Sequence, residues 1–251
     1  MATTSIEWAE RSWNPVTGCT KVSPGCDHCY AEAMAKRLQA MGQPHYAHGF
    51  AVTLHEDILT LPLTWKQPSR IFVNSMGDLL HSQVPDAFIA RAVDVMREAS
   101  WHTFQILTKR PGRLRRLATT LDWPPNVWVG VSIEADRFVA RADALRTVPA
   151  AVRFLSCEPL LGPLPSLTLD GIGWIIVGGE SGPGARPMDP SWVRALIERC
   201  REQQIAVFMK QMGAGWAKAH GERGKGGDIA TWDADLRVRE YPRNANVRKR
   251  R

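Results

Sequence analysis

Three of the five cysteines in this 251-residue chain lie within eleven positions, as Cys19, Cys26 and Cys29. Glycine and proline in the same segment, residues 18–30, let it bend until three sulfur atoms approach one centre. Thiolates grouped in this way bind soft transition-metal ions or an iron–sulfur cluster. The spacing Cys-x6-Cys-x2-Cys therefore predicts a metal centre on a loop near the start of the chain.

The fourth ligand of this centre distinguishes zinc from an iron–sulfur cluster. Structural zinc usually has four protein ligands, often from two Cys-x2-Cys pairs, and this sequence contains a single such pair. Cys157, at the end of a predicted strand, is the better fourth zinc candidate, because His28 would have to turn inward on a very short loop. Cys200 lies on the apolar side of a predicted helix and is assigned to the core. A cluster held by three cysteines instead leaves one iron open, which suits catalysis.

Hydrophobic periodicity indicates the elements that position this loop. A helix is predicted directly after it, at 31–41. From residue 71 onward, short apolar runs alternate with amphipathic segments, which predicts a parallel α/β sheet. Predicted strands are at 71–75, 103–108, 127–132, 152–157, 174–178 and 206–209, and predicted helices are at 86–99, 111–121, 134–147 and 191–203.

These units predict a partial or closed (β/α) barrel of about six to eight parallel strands. A Rossmann sheet is less suitable, because no Gly-x-Gly-x-x-Gly follows an early strand. The length fits a single barrel domain over residues 1–251. Within it, residues 211–242 are a predicted loop-rich C-terminal extension and residues 243–251 a basic tail.

Composition restricts the class of protein and its partners. The formal net charge of +7 favours an anionic partner such as nucleic acid. The N-terminus lacks a basic segment followed by an apolar run, and no apolar stretch approaches the ~20 residues of a membrane span. We therefore expect a cytoplasmic protein without membrane contact, in which clustered thiols stay reduced and bind metal more often than they form disulfides.

Polar residues, charged residues or glycines end or directly follow each predicted strand. In a parallel barrel all these strand ends lie on one face, where ligands bind and chemistry occurs. Such residues after six strands predict one shared pocket on that face. They include Asn74, Ser75, Asp78, Lys109, Arg110, Ser132, Glu134, Glu158, Gly178, Gly179, Glu180 and Lys210.

Nearly the whole sequence resembles the phage-associated three-cysteine-motif family. The motifs that carry the resemblance are WNPVTGC (13–19), CYA (29–31), IFVNSMGDL (71–79), LTKRP (107–111), CEPL (157–160), GGESG (178–182) and RVREYP (237–242). A three-cysteine loop before the first helix of a (β/α) barrel is also similar to the radical S-adenosylmethionine (SAM) enzymes. Their common spacing is Cys-x3-Cys-x2-Cys with an aromatic residue before the last cysteine, whereas here the first gap is six and His28 holds that place.

The resemblance implies a [4Fe-4S] cluster on Cys19, Cys26 and Cys29, with SAM bound at the open iron. It also implies an electron donor that reduces the cluster, so that SAM is cleaved to a 5′-deoxyadenosyl radical that abstracts hydrogen from a substrate. The positions that it implies for SAM binding are Asn74, Ser75 and Asp78 for the amino group, Ser132 and Glu134 for the ribose or carboxylate, and Gly178 and Gly179 for adenine. Glu180 is a further cofactor-binding candidate without the amino-group role, because its Gly-Gly-Glu motif comes four strands late.

The basic residues near one strand end suggest the substrate. Lys109 and Arg110 are candidates for binding the phosphate groups of a nucleic acid or nucleotide. Candidates for catalysis are Tyr30, Lys109, Glu158 and Lys210. The sequence thus predicts a radical SAM enzyme that modifies or repairs nucleic acid. The alternatives are a zinc-stabilised, non-catalytic nucleic-acid-binding protein and a metal-free hydrolase that uses Asp78, Glu158 and Glu180 as acid and base groups.

Overall fold

The computed structural model describes residues 4–242, and the predicted basic tail at 243–251 lies outside them. Its strands are β1 (Arg11–Trp13), β2 (Val16–Thr17), β3 (Thr53–Leu54), β4 (Arg70–Val73), β5 (Thr103–Thr108), β6 (Val127–Ser132), β7 (Val152–Cys157), β8 (Trp174–Gly178) and β9 (Ala206–Gln211). Its α-helices are α1 (Tyr30–Ala40), α2 (Asp86–Glu98), α3 (Pro111–Leu117), α4 (Arg141–Arg146), α5 (Pro190–Glu202) and α6 (Ala214–Ala219). Short 3-10 helices cover Pro24–Cys26, Pro44–Tyr46, Glu56–Ile58, Leu61–Thr64, Asp136–Phe138, Ile229–Thr231 and Ala234–Leu236.

Seven parallel strands form one curled sheet, a half-barrel, in the order β1-β4-β5-β6-β7-β8-β9. This confirms the predicted partial barrel of parallel strands. Strands β2 and β3 form a separate antiparallel pair, with Val16 opposite Leu54 and Thr17 opposite Thr53. Within residues 4–242, no helix is long and apolar enough to cross a membrane.

The structure corrects the prediction in three places. Strand β1, which the periodicity missed, pairs in parallel with β4 and begins the sheet. The continuous helix predicted at 134–147 is wrong, because the carbonyl of Glu134 accepts a 2.8 Å hydrogen bond from the amide of Leu161 and Ala135 is extended, so that α4 begins only at Arg141. The strand predicted at 206–209 is two residues longer, because β9 runs to Gln211, and α6 begins at Ala214 within the segment predicted as a loop-rich extension.

Alternate residues of each strand face opposite sides of the sheet. One side packs against the helices and forms the main core, which includes Val131, Leu155 and Cys157 from the strands. Helices α2 and α5 bury apolar residues at helical spacing against this side, as predicted. Cys200 of α5 is among them, which confirms its assignment to the core.

The other side of the sheet is the interior of the half-barrel. Near the starts of the strands this interior is filled with aromatic rings. We call these residues the aromatic plug: Trp8, Phe72, Trp128, Phe154, Trp174 and Phe208. Their rings contact one another, with centroids 4.6 Å apart for Trp8–Phe72 and 5.6 Å apart for Phe154–Trp174. Glycine is required at Gly130, since a Cβ there would lie 2.5 Å from the Phe154 ring. The plug closes the interior at the strand starts and leaves the strand ends open.

A C-terminal segment covers the outer edge of β9. The amide of Met209 donates to the carbonyl of Val238, and the amide of Glu240 donates to the carbonyl of Val207, each at 2.8 Å. Phe208 and Arg239 form an antiparallel bridge between these hydrogen bonds. The segment is therefore a short partner for the last strand of the sheet.

Candidate active site

The cysteine loop, residues 18–29, is anchored at its base by two glycines. Gly18 has φ +82°, and a Cβ there would lie 2.2 Å from the carbonyl oxygen of Ala51. Its amide donates a 2.9 Å hydrogen bond to the carbonyl of Met76, and it bridges in parallel to Gly77. A Cβ on Gly77 would in turn lie 2.9 Å from the carbonyl oxygen of Val16. The start of the loop is thus fixed against the segment that follows β4.

The far end of the loop is fixed by helical structure. Cys26 ends a 3-10 helix, and Cys29 is the residue directly before α1, where its carbonyl accepts a hydrogen bond from the amide of Ala33 at 3.2 Å. The hydroxyl of Tyr30, the first residue of α1, donates to the carbonyl of Ser75 at 2.5 Å. Both ends of the loop therefore contact the turn after β4.

All three cysteines of the loop line one cavity of about 150 Å³ at the ends of the strands. The predicted residues that line the same cavity are Tyr30, Asn74, Ser75, Asp78, Lys109 and Ser132. Cys157, by contrast, is buried in the main core on the helix side of the sheet, where burial raises the pKa of its thiol. Cys157 is therefore not placed to complete a zinc site with the loop.

The distances between the three thiol sulfur atoms help to distinguish a zinc site from an iron–sulfur cluster. In tetrahedral zinc–thiolate sites the sulfur atoms lie about 3.8 Å apart, as bonds of about 2.3 Å require. Among the described residues, Cys19, Cys26 and Cys29 do not form a set whose sulfur atoms all lie within 4.8 Å of one another. A cluster in which each thiolate binds a different iron needs a wider spacing. The sulfur atoms therefore lie farther apart than a tetrahedral zinc site requires, and the donor set, three thiolates on one loop, is that of an iron–sulfur cluster with one open iron.

Arg110 lies beside the first cysteine of the loop. Its Nη2 is 3.6 Å from Sγ of Cys19 and donates to the carbonyl of Thr20 at 3.1 Å, while its Nε is 3.4 Å from Oδ2 of Asp78. Burial and the Asp78 carboxylate raise the pKa of the Cys19 thiol, and Arg110 opposes them. The guanidinium of Arg110 thus contacts the loop, and its predicted role in substrate binding stays a prediction.

The segment after β4 brings polar groups to the same cavity. Asn74 has φ +59°, and its Oδ1 accepts a hydrogen bond from the amide of Val16 at 3.4 Å. Its Nδ2 is buried without a partner among the described residues. The carboxylate of Asp78 accepts hydrogen bonds from the hydroxyl of Thr108 at 2.9 and 3.0 Å and from the amide of Leu80 at 2.9 Å. Asn74 thus has a free donor for a ligand, and Asp78 is engaged within the chain.

A second cavity, of about 140 Å³, adjoins the first one over the aromatic plug. The two share lining residues, among them Cys29, Tyr30, Lys109 and Ser132. In the second cavity the ammonium of Lys210 forms an ion pair with Glu158. Lys109 has neither a hydrogen bond nor an ion pair within residues 4–242, so its half-buried charge is available to a ligand.

Two buried carboxylates lie beside the cysteine loop, and one of them, Glu180, is linked to it through Arg186. Glu180 is 4% exposed and accepts hydrogen bonds from Arg186, whose Nη2 donates to the carbonyl of Pro24 at 2.7 Å. Burial opposes ionisation of Glu180, but the hydrogen bonds and charge of Arg186 outweigh it and lower the pKa of this carboxyl. Glu134 pairs with Arg141 at 2.7 Å, and a Cβ on Gly25 would lie 3.2 Å from its carboxyl carbon.

The glycines after β8 have a local packing reason. A Cβ on Gly179 would lie 2.1 Å from the carbonyl oxygen of Met212. A Cβ on Gly178 would lie 3.3 Å from the Glu158 carboxyl carbon. Their contacts with adenine stay a prediction, since the space beside Gly179 is filled by the chain itself.

Sequence analysis missed two residues near the site. Arg186 contacts Pro24 across 162 positions, and no local pattern indicates such a contact. Gln105 lies on β5 between Phe72 and Trp128, and both polar atoms of its buried amide lack partners among the described residues. A lone polar residue inside an apolar strand is a signal that can be read from sequence, and it indicates here where the plug meets the polar interior.

Comparison with known proteins gives a family and a distant structural likeness. Residues 3–242 match the family described as "Protein of unknown function (DUF5131)", and the chain belongs to that family. No curated protein matches. Two solved structures are similar: a double mutant of spore photoproduct lyase with bound AdoMet and dinucleoside spore photoproduct, and spore photoproduct lyase complexed with dinucleoside spore photoproduct.

The similarity to the two lyase structures is at 11% and 12% sequence identity, each with a TM-score of 0.49. The aligned region covers 79% of this chain and 64% and 63% of those chains. The chain thus spans less than two thirds of the length of the lyase.

Proposed function

We propose that this member of the DUF5131 family is an iron–sulfur enzyme of the radical SAM kind that modifies or repairs a nucleic acid or nucleotide. The observation that supports this most directly is that Cys19, Cys26 and Cys29 line one cavity together with the polar ends of β4, β5 and β6. That cavity lies at the face of the half-barrel where parallel barrels carry their chemistry.

When bound, a [4Fe-4S] cluster with one open iron supplies reductive chemistry on SAM, with an electron from an external donor. The three thiolates of the chain would hold the cluster, and Arg110 beside Cys19 would offset their negative charge. Asn74 Nδ2 and the hydroxyls of Ser75 and Ser132 are the polar groups that would orient SAM in the first cavity. The aromatic plug excludes water from the side of the cavities that faces the strand starts.

The second cavity is the place for substrate. The unpaired ammonium of Lys109 faces both cavities and would bind a phosphate oxygen, since charge-assisted hydrogen bonds are stronger than neutral ones. Glu158 holds Lys210 beside it, and the pair is suited to keep or move a proton near the reacting atoms. Tyr30 is the remaining catalytic candidate, with its hydroxyl held by Ser75.

The test is anaerobic purification with iron, sulfide and zinc analysis, in wild type and in two cysteine variants. We expect about four irons per chain, lost in Cys26→Ser and kept in Cys200→Ala, because Cys200 lies in the core. Added SAM should then change the electron paramagnetic resonance spectrum of the reduced cluster and yield 5′-deoxyadenosine. Stoichiometric zinc without iron–sulfur absorbance would overturn the proposal and favour a zinc-stabilised nucleic-acid-binding protein.

The metal-free hydrolase has less support from the geometry. Each of its three carboxylates has a cationic partner: Asp78 has Arg110, Glu158 has Lys210 and Glu180 has Arg186. The three carboxylates also do not line one cavity, since Asp78 lines the first and Glu158 and Glu180 line the second. Hydrolysis that persists in the triple Cys→Ala variant would nevertheless show this alternative to be correct.

A further inference from the structure

A second group of metal-ligand side chains lies outside the active site. His45, His55 and Asp57, which we call the histidine cluster, each offer one ligand atom, and these three atoms lie within 4.8 Å of one another. Among residues 4–242, no other set of three or more His, Cys, Asp or Glu side chains meets that spacing. The family resemblance described above assigns nothing to these residues.

The atoms of the histidine cluster are close to a coordination geometry. Nε2 of His45 lies 2.9 Å from Oδ2 of Asp57, and the rings of His45 and His55 have centroids 4.5 Å apart. With metal–ligand bonds of about 2.0–2.2 Å, neighbouring ligand atoms are about 3–3.5 Å apart. Small side-chain movements would therefore bring all three atoms onto one ion.

The buried member of the cluster is held in place by its backbone and by one of its ring nitrogens. His55 is 4% exposed, its amide donates to the carbonyl of Pro15 at 2.8 Å, and its Nε2 is 2.8 Å from the hydroxyl of Thr17. Its Nδ1 has no hydrogen-bond partner within the described part of the chain. Metal-binding histidines commonly have one ring nitrogen fixed by such a contact while the other binds the ion.

The cluster is also reachable from solvent. The side chain of His45 is 42% exposed and that of Asp57 is 63% exposed. If His45 and Asp57 formed only a surface ion pair, the buried imidazole of His55 beside them would have no role in that pair. The buried ring and its fixed orientation are what a coordination site requires in addition.

We propose that the histidine cluster binds one divalent first-row transition-metal ion, such as Zn²⁺, through two imidazoles and one carboxylate. Water completes the coordination, because two of the three ligands face solvent. Soft thiolates are not part of this site, so its metal preference differs from that of the cysteine loop.

The bound ion stabilises the support of the cysteine loop. Thr17, which contacts His55, lies two residues before Cys19, and β3 immediately before His55 pairs with β2. The amide of Cys19 also donates to the carbonyl of Phe50 at 3.3 Å, in the segment between His45 and His55. An ion on the cluster therefore links both ends of the segment on which the loop rests.

Metal content measured in paired variants tests the proposal. After dialysis of the full-length protein against Zn²⁺ and then metal-free buffer, we expect one equivalent more zinc in wild type than in His45→Ala or Asp57→Asn. His48→Ala, which removes an exposed imidazole outside the cluster, is the matched control and should keep the wild-type content. Circular dichroism checks that each variant is folded.

Substitution with Co²⁺ separates this site from the cysteine loop. Cobalt bound to thiolates gives strong sulfur-to-metal charge-transfer absorption, which nitrogen and oxygen ligands do not give. In a Cys19→Ser/Cys26→Ser/Cys29→Ser background we expect one bound Co²⁺ without that absorption, lost on adding His45→Ala. Equal metal content with and without His45, in either background, would overturn the proposal and leave only a surface ion pair. This measurement involves neither the iron–sulfur cluster nor SAM. The proposed function can therefore fail while the histidine site is confirmed, and the histidine site can fail while the proposed function is confirmed.

Discussion

The strand starts and the strand ends of the half-barrel interior are built from opposite kinds of residue. Along β6 the interior positions are Trp128, Gly130 and Ser132, and along β9 they pass from Phe208 to Lys210. At the starts, rings pack against rings in the aromatic plug. At the ends, hydroxyls and ammonium groups line two cavities beside the cysteine loop.

The difference indicates that stability and chemistry are separated along the strands. The plug buries large apolar surfaces, which stabilise a fold. At the strand ends, Asn74 Nδ2 is buried without a partner among the described residues and the charge of Lys109 is unpaired among them, and neither group stabilises the folded chain. Substitutions at the starts should therefore lower the free energy of unfolding, while those at the ends should change ligand binding.

The largest effect on stability is expected from Trp174→Ala. Trp174 is fully buried and contacts four other aromatic rings of the plug, those of Trp8, Trp128, Phe154 and Phe208. Its removal should lower the free energy of unfolding by about 3–5 kcal/mol, measured by urea denaturation. A loss below about 1 kcal/mol would mean that the plug does not stabilise the sheet.

A smaller loss is expected from Glu180→Gln, which tests whether the two regions are fully separate. This change leaves Arg186, 33% exposed, without its buried partner and weakens its hold on Pro24. We expect about 1–3 kcal/mol of destabilisation and faster alkylation of Cys26 in the metal-free protein.

The matched control is Arg194→Met, which breaks exposed pairs with Asp233 and Asp235. Because these pairs are exposed to solvent, it should lower the free energy of unfolding less than Glu180→Gln does and leave the alkylation rate unchanged. Equal effects of the two variants would contradict the role of Glu180 in fixing the cysteine loop.

The pH dependence of stability should come in part from His102, packed between Trp65 and Trp101. Burial lowers the pKa of His102 below its ordinary value of 6.5. The unfolded chain therefore takes up this proton first as the pH falls, so stability is complete above about pH 6.5 and decreases below it, by at most about 1.4 kcal/mol per pH unit. Urea denaturation at pH 7 and pH 5.5 should show a steeper loss in wild type than in His102→Gln, and equal losses would contradict the assignment.

The smallest effect on stability is expected from Lys109→Met, a substitution at the strand ends. Because Lys109 has no partner within residues 4–242, the free energy of unfolding should change by less than about 0.5 kcal/mol. Binding to an oligonucleotide should weaken, and the dependence of log K on log salt should fall by about one.

Arg115→Met is the matched control for Lys109→Met, since it removes one charge from the exposed side of α3, outside both cavities. It should weaken oligonucleotide binding less than Lys109→Met does. Equal weakening by both variants would place the nucleic acid on the helix surface instead of at the strand ends.

The sequence predicted the strands from β4 to β9 because apolar runs between turn signals are local patterns. It also predicted the face that collects Asn74, Lys109 and Ser132, because parallel strands end on one side. Strand β1 was missed, since three residues are too few for a period and its partner lies about sixty positions later. The contact between Arg186 and Pro24 was missed for the same reason, because only the folded chain brings these residues together.

The segment Val238–Glu240 that pairs with β9 has a consequence for how the protein behaves in concentrated solution. A sheet that does not close leaves a last strand whose amides and carbonyls can pair with another molecule. Here that edge is already hydrogen-bonded within the chain. Removal of the residues from 238 onward should therefore expose a template for intermolecular strand pairing, and we expect the shortened protein to self-associate before it loses its helices.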